Sequence, residues 1–211
     1  MDYGSAPMAG ETRVVCISRA AAAGGEEIGW IVAQRLGLRY VDEEIIELAA
    51  EHANVASTVV AEVEAPKSIV RRVVEALDAI GSGTPPRSWS LRPSRKAVRT
   101  LIRGAIQEVA DRGEAVIVAH AASMALGPRP GVLRVLVTGS PAVRAERLHH
   151  TGLPPKDAEA SIAESDRGRQ KYLEDFYGVA DEHPTYYDLV INTDRLDVER
   201  AVAVVLASLG S

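Results

Sequence analysis

Five short apolar runs punctuate the chain: "RVVCIS" (13–18), "LRYVD" (38–42), "AVIVAH" (115–120), "LRVLVTG" (133–139) and "DLVINT" (188–193). They are rich in Val and Ile and lack clean alternation, which predicts strands covered by helices on both faces. Between them the apolar spacing changes to that of a helix. Ile28, Ile31, Val32 and Leu36 share one face before Gly37, and a second pattern covers 43–52. Ile69, Val70, Val73, Val74, Leu77 and Ile80 form a longer stripe. Another helix is predicted over 94–112, with Ala97, Val98, Leu101, Ile102, Ala105, Ile106 and Val109 inward, Ser94 as its N-cap and Gly113 as its stop. A last helix follows Asp197, aligning Val198, Val202, Val205 and Leu209. Strands alternating with helices predict βαβ units, a parallel sheet and right-handed crossovers. The Pro- and Gly-rich stretch 81–94 reads as a flexible loop, and no internal repeat is present.

Composition narrows the partners. The 211 residues suffice for one α/β domain, and 46% apolar with 25% charged residues is ordinary globular usage. A net charge of −5 argues against a nucleic-acid partner. The single Cys16 sits in an apolar run, which predicts a buried, inert thiol in a reducing compartment. No apolar run reaches the roughly 20 residues that cross a bilayer. The polar segment 1–12 lacks signal-peptide features and reads as a disordered tail, so the expected setting is the cytoplasm, without a membrane partner.

Candidate chemistry begins at the end of the first strand. "VVCISRAAAAGGEEIG" (14–29) runs from strand through small residues into a helix. That order presents helix N–H groups and the helix dipole to phosphate. Gly24 and Gly25 permit close backbone approach. A full Walker A motif would add a Lys to the β/γ-phosphates and a hydroxyl to magnesium. Aligned on its second Gly, Gly25 takes the Lys position, Glu26 the hydroxyl position, and Arg19 replaces the first Gly. Glu26 and Glu27 complement the macrodipole, yet would repel a triphosphate. On residues alone, nucleotide contact and structural relic are equally open.

The segment "CISRAAAAGGEEIGWIVAQRLGLRYVDEEIIELAAE" resembles the opening of the cytidylate kinase-like family, a branch of the P-loop nucleoside monophosphate kinases. The agreement lies at 18–19, 24–25, 27–28, 40, 42 and 44–46. It continues through "RGEAVIVAHAASMAL", "LRVLVTGSPAVRAERL" and "ESDRGRQKYLEDFYG" to "YYDLVINTDRL". The resemblance implies a doubly wound parallel sheet over 13–211, a helical monophosphate-binding region and an arginine-bearing lid over about 144–178. It implies transfer of the ATP γ-phosphoryl, with Mg2+, to a nucleoside monophosphate such as CMP or dCMP. Ser18, Arg19, Gly24, Gly25, Glu26 and Glu27 fall on its phosphate loop. Arg144, Arg147, Arg167 and Arg169 fall on its charge-supplying segment, with Asp166 orienting an Arg or a magnesium-bound water. Asp42 and His120 fall near the acceptor.

Three departures weaken that inheritance. Ala21-Ala22-Ala23 replaces a Tyr-Gly-Ser turn, Glu26 replaces an Arg, and Ala119-His120 replaces Gly-Arg at the end of the third strand. His120 substitutes only in part, since an unperturbed imidazole is mostly neutral near pH 7. No Asp follows "AVIVA" as a Walker B ligand. Each change lowers positive potential or donor capacity beside the expected phosphates, so phosphoryl transfer is expected to be impaired.

Elsewhere, His149-His150 lacks partner ligands at metal spacing. Arg87, Arg92, Arg95, Lys96, Arg99 and Arg103 read as a solvated face, and Trp89 among arginines as a partner anchor, so 81–103 is a candidate protein-contact segment. The stripes on 69–80 and 97–109 suit either a homodimer two-fold or the monomer's own sheet. The expected functions are a nucleoside monophosphate kinase, a pseudokinase that binds a nucleotide or another anion, or a nucleotide-independent dimeric interaction module.

Overall fold

A computed structural model of the chain describes residues 13–42, 95–119 and 121–209, with the backbone alone for 95–99. The expected tail, the helices at 43–52 and 69–80, the Trp89 loop, the Ser94 cap and His120 lie outside the described residues. All five expected strands form: β1 (Val14–Arg19), β2 (Arg39–Asp42), β3 (Ala115–Ala119), β4 (Val132–Thr138) and β5 (Leu189–Asn192). The helices are α1 (Gly25–Leu36), α2 (Arg95–Arg112), α3 (Ala122–Leu126), α4 (Pro141–His150), α5 (Pro155–Tyr177) and α6 (Val198–Ser208).

The sheet has the order β2-β3-β1-β4-β5 and every pairing is parallel. Register places Val14 beside Ala115 on one side and Val132 on the other. On one face, Val15, Ile17, Val116, Val118, Val135, Val137 and Ile191 pack with Ile28 and Val32 of α1 and Val202 and Val205 of α6. The alternate residues Val14, Cys16, Ala115, Ile117 and Leu136 are buried toward the other face, which α2 and α3 cover. The α2 stripe from Leu101 to Val109 is thus buried in the chain's own core rather than presented outward. Burial, opposed by a hydrogen bond from Ser123, pushes the Cys16 thiol up to about 12, as an inert core cysteine requires.

The helix ends follow the sequence signals. Gly37 (φ 65°) closes α1 in a left-handed cap, with Leu38 N–H donating to Ala33 O at 3.0 Å. Ser140 caps α4 ahead of Pro141, and Asp197 caps α6 by accepting from Arg200 N–H at 2.9 Å. Arg103, expected on a solvated face, is half-buried, and its guanidinium lies 5.8 Å from the centre of the Tyr177 ring.

β5 is secured to β4 by an acidic side chain. Asp188 accepts from Arg134 N–H at 2.8 Å and from its guanidinium at 3.1 and 2.7 Å. Burial pushes the Asp188 carboxyl up, but the Arg134 contacts outweigh it and hold it below the usual range. A lowered folded-state value contributes stability above the unfolded carboxylate range, lost as pH falls through the folded value. Wild type is therefore expected to exceed Asp188→Asn in urea midpoint at pH 7 and to converge with it in acid. A gap that stays constant down to pH 2 would show that the ion pair is not the cause.

Candidate functional site

β1 lies between β3 and β4, where the strand order turns back, and ligands of open parallel sheets sit beyond the strand C-terminal ends at that point. The chain leaves β1 at Arg19, passes through 20–24 and enters α1 at Gly25. Gly24 is left-handed (φ 84°) and gives no side-chain cap. Ala20 N–H donates to Val137 O, Ala23 N–H to Ala20 O, and Ile28 N–H begins the helix ladder on Gly24 O. Among the described residues no acceptor meets the N–H groups of Ala21, Ala22, Gly24, Gly25, Glu26 and Glu27. Unsatisfied donors at a helix start form an anion cradle.

What aims those donors is a set of clamps on the carbonyls. Arg169 Nη1 donates to Arg19 O at 2.8 Å, Arg144 Nη1 to Ala21 O at 3.3 Å and Arg147 Nη1 to Ala22 O at 3.3 Å. The Thr193 hydroxyl lies 3.0 Å from Ala23 O. In a trans peptide the N–H opposes the preceding carbonyl. Drawing the Ala21 and Ala23 carbonyls outward therefore turns the Ala22 and Gly24 N–H groups to the other side of the loop.

The same contacts explain the alanines. Ala22 has a left-handed backbone (φ 57°), a conformation costing an L-residue about 1–2 kcal/mol. Arg147 on its carbonyl and the packing of Ala21 and Ala22 against Ala145, Ala158 and Ile162 offset that strain.

The arginines themselves are anchored. Arg144, almost wholly buried, reaches Asp166 with two bonds of 2.9 and 2.6 Å and Gly139 O at 2.8 Å. Arg169 grips Glu182 with Nε at 3.0 Å and with Nη2, and Tyr187 OH donates to the same carboxylate. Burial, then the charge of Glu182, raises the Tyr187 phenol, which keeps it a donor. Arg147 binds the Thr193 hydroxyl at 2.9 Å and the Thr193 carbonyl.

At the helix start, Arg19 Nε lies 2.5 Å from Glu26 Oε1. Burial first, then Asp42 through charge and hydrogen bond, and Glu26, raise the Tyr40 phenol, while Arg19 opposes them. Asp42, Tyr40, Glu26 and Arg19 thus form one cluster beside the loop. Ser18 is buried one position earlier, its hydroxyl bonded to Ser123 Oγ at 3.0 Å and accepting Ser123 N–H at 3.1 Å.

Of the residues expected at the site, Ser18, Arg19, Gly24, Gly25, Glu26, Asp42, Arg144, Arg147, Asp166 and Arg169 gather around the loop. Glu27 and Arg167 are exposed and are not drawn into the clamp. Asp166 is paired with Arg144. Thr193, Glu182, Tyr187 and Ser123 are additions. Thr193 was findable, because it follows a strand at the same sheet end as the loop; Glu182, in a polar turn, carries no such signal.

The described residues do not fit a protein-held magnesium. Glu26 stands where the hydroxyl ligand belongs and pairs with Arg19, Asp166 is engaged by Arg144, and no cluster of three ligating side chains exists among the described residues. No helix is long and apolar enough to cross a membrane, again among the described residues.

No curated protein sequence matches the chain significantly. Solved structures match along nearly all of it. An uncharacterized protein from Eubacterium ventriosum aligns with a TM-score of 0.62 at 16% identity, covering 95% of this chain and 99% of its own. Shikimate kinase from Bacteroides thetaiotaomicron gives 0.53 at 18% identity over 94% and 98%. Gluconokinase from Sinorhizobium meliloti gives 0.50 at 18% over 94% and 91%. These likenesses show the α/β fold of P-loop kinases. The cytidylate kinase-like family model matches residues 14–195, and with the parallel sheet and the clamped loop it places this chain in the cytidylate kinase-like family.

Proposed function

We propose that this chain holds the phosphates of ATP on the loop at 19–27 and transfers the γ-phosphoryl slowly to a monophosphate of the CMP or dCMP class. The observation that carries the reading is the clamped loop, whose carbonyls at Arg19, Ala21 and Ala22 are bound from outside while the N–H groups of Ala21, Ala22 and 24–27 have no acceptor among the described residues. The acceptor class comes from the family, since the named kinases of similar fold share only 18% identity. In the reaction the bond from the γ-phosphorus to the β-bridging oxygen breaks as one to the acceptor phosphate oxygen forms. The cradle positions the donor, Asp42 and His120 would face the acceptor, and Arg167 supplies an exposed cation from the lid segment 144–178. Mg2+ would arrive with ATP, since it commonly keeps waters and phosphate oxygens as ligands.

Transfer is slow in this reading because the Walker Lys and hydroxyl are missing and Arg144 and Arg169 are committed to carboxylates. ADP release is expected with CMP or dCMP, ATP and MgCl2 at below about 1 s⁻¹, under the roughly 1–100 s⁻¹ of kinases. AMP, GMP and UMP should be poorer acceptors. No acceptor-dependent ADP from any monophosphate would sink transfer. The committed arginines favour one second reading, a pseudokinase that binds nucleotide without turnover, and a thermal shift with ATP in that case would support it.

A further inference from the structure

The loop carries a full positive charge at a position its motif reserves for glycine. A Cβ placed on Gly25 would lie 2.6 Å from Arg19 Cβ, 3.2 Å from Cδ and 3.4 Å from Cγ. The stem of Arg19 therefore fills the volume from which a lysine at position 25 would start. In Walker A order, Gly-x4-Gly-Lys-Ser/Thr, the first Gly corresponds to Arg19 and the Lys to Gly25. The glycine and the cation have changed places.

We propose that Arg19 is the phosphate-binding cation of this loop, and that Glu26 is its resident counter-ion, displaced when a polyphosphate enters. The inference rests on the loop reading above and deepens it. Three observations carry it. The root of Arg19 is fixed, because Arg169 holds its carbonyl and Ala20 N–H is bonded to Val137 O. The Arg19 side chain is 12% exposed and that of Glu26 47%, so the carboxylate can leave for solvent while the guanidinium stays. Glu26 also lies in the first turn of α1, where unsatisfied N–H groups favour an anion. The carboxylate thus occupies the field that a phosphate would use, on the cation that a phosphate would use. A planar guanidinium suits phosphate bidentately, which an ammonium does not.

The exchange is measurable by calorimetry on the full chain at low salt without magnesium, with sodium tripolyphosphate and ATP as probes. Removing the competing carboxylate in Glu26→Gln should tighten both probes about tenfold. Arg19→Gln should weaken both about tenfold or more, and Arg19→Lys should recover part of that loss. Relief of simple charge repulsion would tighten binding by Glu26→Gln equally in an Arg19→Gln background, whereas the exchange requires that the gain largely disappear there. Unchanged or weaker binding by Glu26→Gln, wild-type affinity in Arg19→Gln, or no binding of either probe by any variant would overturn the proposal. If Arg19→Gln fails to fold, Glu26→Gln and Arg19→Lys decide it. The expected pattern of affinities without acceptor-dependent ADP release would leave the exchange standing and remove the transfer reading alone.

Discussion

Arg144→Met should lower unfolding stability by about 2–3 kcal/mol. The substitution keeps an apolar stem but removes every donor that holds Asp166, Gly139 O and Ala21 O. Breaking a buried ion pair by removing one partner typically costs 3–5 kcal/mol. Here Asp166 is 37% exposed, so water recovers part of its solvation and the lower figure applies. The measurement is the urea midpoint at unchanged slope. Arg144→Met with Asp166→Leu should show a coupling on the order of 1 kcal/mol. A loss under about 0.5 kcal/mol would mean that the guanidinium is not holding α4 to α5 and the loop.

The consequence reaches the site, because Arg144 is also a tie between that helix pair and Ala21. Freed of it, the Ala21 carbonyl can rotate, and the Ala22 N–H loses its direction. A variant that remains folded should therefore bind ATP more weakly although no phosphate contact has been removed. Arginines in such a segment read in sequence as charges for the transferring phosphoryl group. In the fold, Arg144 and Arg169 spend their forks on carboxylates and on the loop's backbone. The difference arises from reach. Which acceptor a guanidinium meets depends on chain segments far apart in sequence, here positions 19–23, 139, 166 and 182.

Local pattern was sufficient where local physics decides. The five strands were legible because Val- and Ile-rich runs bounded by Gly and polar residues have few other uses, and only their ends moved, as in 14–19 for an expected 13–18. Gly37, Gly113 and Asp197 marked helix ends because each supplies a backbone conformation or an acceptor there. Strand order was not legible from periodicity, since Val14 carries no mark of lying between Ala115 and Val132. The three loop alanines misled in one respect. They signalled loss of a Gly and a hydroxyl, but Ala21 and Ala22 pack on Ala145, Ala158 and Ile162, Ala23 joins the sheet core, and Ala22 holds a left-handed conformation.

Restoring the Walker lysine alone should fail. Gly25 does not have a positive φ, so its backbone accepts any residue, and only the 2.6 Å approach of a Cβ to Arg19 forbids a side chain. Gly25→Lys is expected to cost roughly 1–3 kcal/mol from overpacking and to dislodge Arg19 from Glu26. ATP affinity should not improve, because the added cation arrives while the existing one is displaced and Glu26 is left beside the phosphates. With Arg19→Gly in the same chain the collision disappears, and the pair should regain most of the stability, less about 0.5–1 kcal/mol for a glycine at the end of β1. Adding Glu26→Ser then spells Gly-x4-Gly-Lys-Ser across 19–26, supplying both the ammonium and the hydroxyl that the motif directs to phosphate and magnesium. That triple variant should bind ATP more tightly in the presence of MgCl2 and release ADP faster with CMP than wild type. Strict additivity of Arg19→Gly and Gly25→Lys in denaturation would mean that the two side chains do not compete for one space, and the exchange of glycine and cation would lose its physical basis.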